Sequence, residues 1–155
     1  MKIKTMLFII ICLVATPPLS AQNNAAVKSV FDRYGKQKGS IMIQLSTDIL
    51  SPKTDITFYR SLVIKQNDII YQTVASALED VANQGTKLTE IRKNGKLENA
   101  AYSIPVNSDN NEYDYILYNY TDSQITLVYM KGKFPPKNLD KELKKLKDLF
   151  IYINK

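Results

Sequence analysis

Histidine and tryptophan are absent from the 155 residues, cysteine occurs once, and glycine occurs five times. Without histidine there is no Ser-His-Asp triad, no Cys-His pair and no His-ligated zinc. A single cysteine excludes a disulfide framework, a CxxC redox pair and a four-cysteine metal site. Neither an SxxK nor a GxSxG motif occurs. Internal repeats, low-complexity tracts and linkers are also missing, and the length fits one domain.

What is present begins with an address. Lys2 and Lys4 form a short positive segment, and Met6 to Ala15 is an unbroken apolar run. That run is about ten residues, whereas a bilayer span needs roughly 20. Pro17 and Pro18 break it, and Leu19-Ser20-Ala21 offers a small-residue cleavage site. The pattern predicts a signal peptide over Met1–Ala21, cut before Gln22, and a protein exported to the periplasm or envelope. Cys12 follows Ile11, not the Gly, Ala or Ser that a lipoprotein signal requires, and the apolar run continues past it. Cleavage takes 21 of the 155 residues and leaves 134, without a thiol. Losing Lys2 and Lys4 from 21 basic residues leaves 19 against 15 acidic ones, a charge of +4. A domain of that size buries about two-thirds of its unfolded surface, enough for a core without staples.

Periodicity predicts the elements. Val27, Val30, Phe31 and Tyr34 share one face of a helix over Ala25–Lys36, closed by Gly35 and Gly39. Ser40–Ser46 alternates, with Ile41, Ile43 and Leu45 on one side, as in a half-buried strand. A loop or short helical turn containing Pro52 fills Thr47–Asp55, and Thr57–Lys65 is rich in β-branched and aromatic residues. Asn67 or Asp68 caps a helix to Gln84, with Ile70, Val74, Ala77, Leu78 and Val81 inward and Gly85 beyond its end. Thr86–Lys93 and Leu97–Ile104 form a hairpin across Asn94-Gly95, a pair suited to a type I′ turn. After the polar loop Asn107–Asn111, Glu112–Tyr120 and Gln124–Lys131 form a second hairpin. The last helix spans Asn138–Leu149, with Leu139, Leu143, Leu146 and Phe150 on one stripe. Its acidic residues come early and Lys144, Lys145 and Lys147 late, suiting the helix dipole. Phe150–Ile153 reads equally as more helix or as a strand. The order predicts an α+β domain over 22–155: a mostly antiparallel sheet of five or six strands with two or three helices on one face.

Several segments resemble small exported Bacteroidetes proteins of a family of unknown function. They are Tyr34-Gly35-Lys36-Gln37-Lys38-Gly39 leading into Ile41-Met42-Ile43, the strand Ser61–Lys65, the strand Ile125–Tyr129, and the closing Gly132…Leu139 helix. A leader ending Ser-Ala before Gln is also typical of that phylum. The resemblance implies an envelope location and an α+β fold, and it carries no catalytic residues. Some relatives are lipoproteins, a property that the missing lipobox withholds from this chain.

Three segments are candidate sites. Asp109, Glu112 and Asp114 put hard oxygen ligands close together, as calcium prefers, but without EF-hand spacing or a turn glycine. A solvated loop of turn-forming residues explains them more simply. Half of the ten tyrosines fall in one hairpin: Tyr113, Tyr115, Tyr118, Tyr120 and Tyr129. Tyr113 and Tyr115 point one way and Tyr118 and Tyr120 the other, so one face packs on helices and the other is an aromatic contact surface or, more simply, an open side of the sheet covered by amphipathic rings with their hydroxyls in water. Replacing Tyr115 and Tyr118 by Ser is then expected to weaken partner capture without unfolding the domain. Lys137, Lys141, Lys144, Lys145 and Lys147 make the last helix basic, which suits an anionic membrane surface but more simply a solvated face. Export argues against nucleic acid. Scattered carboxylates (Asp48, Asp55, Glu79, Asp80, Glu90, Glu98) leave room for a two-carboxylate hydrolase, though none sits in a motif. The reading is a non-enzymatic envelope module without a cofactor, whose partner is an envelope protein, a peptide or a glycan. A structural envelope protein without a ligand is the other alternative.

Overall fold

The computed structural model describes residues 25–153, so the predicted leader lies outside the described residues. The elements run α1 (Ala25–Tyr34), β1 (Ile41–Leu45), α2 (Thr47–Leu50), β2 (Ile56–Lys65), α3 (Asp68–Gln84), β3 (Thr86–Lys93), β4 (Lys96–Asn107), β5 (Glu112–Tyr120), β6 (Gln124–Lys133) and α4 (Leu139–Ile153). The six strands form one sheet in the order β1-β2-β6-β5-β4-β3, antiparallel throughout. The fold is α+β, as the element order predicted. β3 to β6 meander inward, and α3 carries the chain from β2 to the far edge, so β6 returns beside β2.

Local chemistry explains the boundaries. The Asn67 side chain accepts a hydrogen bond from Ile70 N at 2.8 Å, satisfying one of the free donors at the start of α3. Asn94 (φ 53°) and Gly95 (φ 78°) both take the positive φ that a type I′ turn needs. β4 runs past its expected end at Ile104. Its pairing with β3 stops at Ser103, so Pro105 lies where the strand has only β5 beside it and its missing N–H costs no ladder bond.

Alternation divides the sheet into two faces. Leu62, Ile64, Ala100, Tyr102, Ile116, Tyr118, Ile125 and Leu127 meet α1 and α3 on the first. Tyr59, Tyr115, Val128 and Met130 meet Leu50 of α2 and Leu139, Leu146 and Leu149 of α4 on the second. Two helices thus pack on one face as expected, but α4 lies on the opposite one. Both parities of β5 and β6 are apolar, and each demands its own cover.

α4 continues as helix to Ile153, which resolves Phe150–Ile153. Its lysines therefore sit mid-helix, and the dipole argument made for them does not apply. Lys145 is not in open solvent either. Its Nζ lies 2.7 Å from the buried Glu142 carboxylate, which also accepts from Asp55 N at 2.8 Å. Glu142 clips α4 to the start of β2, and hydrogen bonding to Glu142 raises the Lys145 pKa. At the same end the Phe134 ring stacks on Tyr115 at 4.8 Å and 5°. A Cβ on Gly132 would fall 2.2 Å from that ring, so only glycine leaves room for the stack.

β1 departs from expectation. Ile41 and Ile43 are 59% and 42% exposed, not half-buried. The strand is the sheet's outer edge, where cover from α4 reaches Leu45 but not Ile41 or Ile43.

Candidate functional site

The tyrosines do not gather into one surface. Tyr115 (0% exposed) and Tyr118 (2%) are core residues on opposite faces. Each hydroxyl donates to a main-chain carbonyl, Tyr115 to Phe134 O at 2.7 Å and Tyr118 to Leu97 O at 3.2 Å. Burial pushes both phenols well above their ordinary value of 10.0, and Tyr102 in the same direction. Their replacement by Ser removes core, which corrects the expectation that they are free to meet a partner. Tyr120 is half-buried beneath Tyr71 at 5.5 Å, and Lys96 lies over both rings. Tyr129 packs on Phe58 at 5.9 Å and donates to the Asp114 carboxylate at 3.0 Å. Tyr113 is half-buried at 6.1 Å from Tyr115.

The acidic candidates also separate. Asp109 lies in the exposed turn Ser108–Asn110, Glu112 opens β5, and Asp114 is buried against Tyr129. Among the described residues no three His, Cys, Asp or Glu side chains gather as metal ligands.

The register shows where the sheet stays open. On the second face, three rows run across the strands. The first, Leu45–Tyr59–Met130–Tyr115, lies beneath α4, with Phe150 edge-on to Tyr59 at 5.7 Å. The second, Ile43–Ser61–Val128–Leu117–Ala101–Thr89, is only partly covered. The third, Ile41–Val63–Thr126–Asn119–Asn99–Ile91, has no buried member. A groove of about 470 Å³ opens between these rows and the first turns of α4. Its apolar lining comes from Leu88, Ala101, Leu117, Val128, Leu139 and Leu143. Asn99, Asn119 and Thr126 add amide and hydroxyl groups, and charge is confined to Lys137 and Asp140 on the helix side. Binding pockets characteristically hold 300–1,000 Å³ with a few polar groups on an apolar lining.

The sequence carried a faint signal for this groove. Asn is depleted in strands, yet Asn99 and Asn119 occupy strand interiors and pair with each other across β4 and β5. The apolar residues two positions along, Ala101 and Leu117, complete the gradient.

A second hollow of about 330 Å³ lies between α3 and the β3–β4 hairpin and includes Glu79 and Glu90. Glu90 is held by Lys87 and Arg92. Those hydrogen bonds, Lys87 first, lower its pKa. A general acid at neutral pH needs the opposite shift, and the larger groove holds a single carboxylate, Asp140.

A family model matches residues 14–143, from ahead of α1 through all six strands into α4. The chain belongs to the family of unknown function DUF6108. The match spans the residues of the groove in this DUF6108 chain and assigns no activity to them. No curated protein matches it. Among the described residues, no helix is long and apolar enough to cross a membrane.

Proposed function

We propose that this DUF6108 chain is an exported, non-enzymatic binding module of a Bacteroidetes-type cell envelope, and that it captures an uncharged, extended peptide segment in the groove beneath α4. The groove carries the reading: an apolar lining of strand and helix side chains beside an Asn99–Asn119–Thr126 row with no buried member. Asn side chains offer both a donor pair and an acceptor, which matches the alternating N–H and C=O of a peptide backbone. Sugar rings are recognised by stacking on aromatic faces. Tyr118 is the one aromatic residue of the groove, and its ring is buried in the opposite core, which favours peptide over glycan. The leader-like Met1–Ala21 segment supports export to the envelope.

The test is capture from envelope extract by the processed protein and by the double variant Asn119→Lys, Thr126→Lys. Neither position belongs to the core: Asn119 is exposed and Thr126 half-buried. The proposal expects the captured proteins to disappear with the double variant and to persist with Tyr113→Ser. An unchanged capture profile for the double variant contradicts it.

A further inference from the structure

The two edges of the sheet are guarded very differently. β3 carries Lys87, Glu90, Arg92 and Lys93, and its pairing with β4 is broken by irregularities between Lys87 and Thr89 and between Ile91 and Arg92. Charge and bulges are the standard means by which an edge resists pairing with foreign strands. β1 has neither. Its sequence is Ile-Met-Ile-Gln-Leu, its five-residue register with β2 is unbroken, and no described strand meets its outer side. Ile41, Met42 and Ile43 are 59%, 40% and 42% exposed, so both faces of this edge are apolar.

We propose that β1 pairs antiparallel with β1 of a second copy of this chain, about a two-fold axis at Ile43, joining two sheets into one of twelve strands. This register sets Ile43 against its own copy, Ile41 against the second copy's Leu45, and Met42 against its Gln44. The same patch meets itself, the condition for a closed dimer. Charge supports this occupant over an unrelated strand. Lys36 and Lys38 stand just before β1 and Asp48 just after it, and the strand itself carries none. Antiparallel pairing brings the lysine end of each copy to the aspartate end of the other, twice by symmetry. A two-fold within one sheet lies perpendicular to it, so both α4 grooves open on the same side of the joined sheet. The contact is small, and association is weak and concentration-dependent.

The test is sedimentation of the full-length chain, expressed with its own leader and purified as the cell processes it, over a wide concentration range. The protein is expected to pass from monomer to dimer, and Ile43→Lys to remain monomeric with unchanged circular dichroism and urea midpoint. Lys38→Glu and Asp48→Lys should each weaken self-association about tenfold, and mixing the two variants should restore a dimer, because every facing pair is then opposite in sign. A wild type that stays monomeric throughout overturns the proposal. So does an Ile43→Lys variant that dimerises as well as the wild type. A mixture of the two charge variants that associates no better than either alone overturns the antiparallel register.

Discussion

On one face of the sheet, α1 and α3 lie side by side and the strands beneath them bury Leu62, Tyr102, Ile116, Tyr118 and Leu127. On the other face a single long helix does the work. α4 is held near its start by Glu142 to the β2 start and near its end by Phe150 on Tyr59. One helix is too narrow to cover six strands. The first face keeps only the smaller hollow beside α3, and the second is left with the larger groove bordered by Thr126, Asn119 and Asn99. The difference teaches that a site here arises from incomplete cover, and that its polar groups stand where burial stops.

The largest expected effect breaks both faces. Tyr118→Ser removes a ring from the first core and Tyr115→Ser one from the second, and each leaves a cavity and a carbonyl without its hydroxyl donor. Each should cost about 3–5 kcal/mol, comparable to truncating a buried aromatic to alanine. Urea denaturation measures this, and a loss under about 1 kcal/mol, typical of a surface position, would contradict the placement of either ring.

High pH should weaken both faces together. Tyr115 and Tyr118 are neutral when folded and their pKa values are raised by burial. Their contribution is fully present below the ordinary value of 10.0 and is lost as pH rises toward the raised folded values. Between those limits each phenol should remove about 1.4 kcal/mol of stability per pH unit, because the unfolded chain releases protons that the folded chain keeps. Phenolate absorbance followed beside circular dichroism checks this. Ionisation of all tyrosines before any loss of structure would contradict it.

A third variant separates the faces. Glu142→Ala removes the buried carboxylate that accepts from Asp55 N and Lys145. The lost charge-assisted bonds should cost about 2–3 kcal/mol. Hydrogen exchange should then rise in α4 and stay protected in α3. Equal loosening of the two helices would show that the faces are not independently closed.

Much of this was legible because it is local. The Asn94-Gly95 hairpin, the Asn67 cap of α3 and the inward stripe of that helix each follow from a few neighbouring residues. The placement of α4 depends on partners far along the chain. The Glu142 contact with Asp55 joins residues 87 apart, and periodicity contains no such information. Ile41 and Ile43 misled for the same reason: alternation marks a strand's apolar side, but only its place in the sheet decides whether anything covers it. The tyrosines misled in another way. Their abundance looked like a surface, yet a phenol whose hydroxyl reaches a main-chain carbonyl is an economical core residue.

The smallest expected effect on stability is at the groove itself. Asn119 is exposed, and Asn119→Lys should change stability by no more than about 0.5 kcal/mol, as surface substitutions do, while abolishing capture. The most direct test of the groove is a photo-crosslinking residue placed at position 119 and, for comparison, at the exposed Ile69 on α3, with adducts formed in native envelopes and mapped by mass spectrometry. The account predicts a defined peptide segment joined at position 119 and none at position 69. The same adducts at both positions, or none at 119, would contradict it.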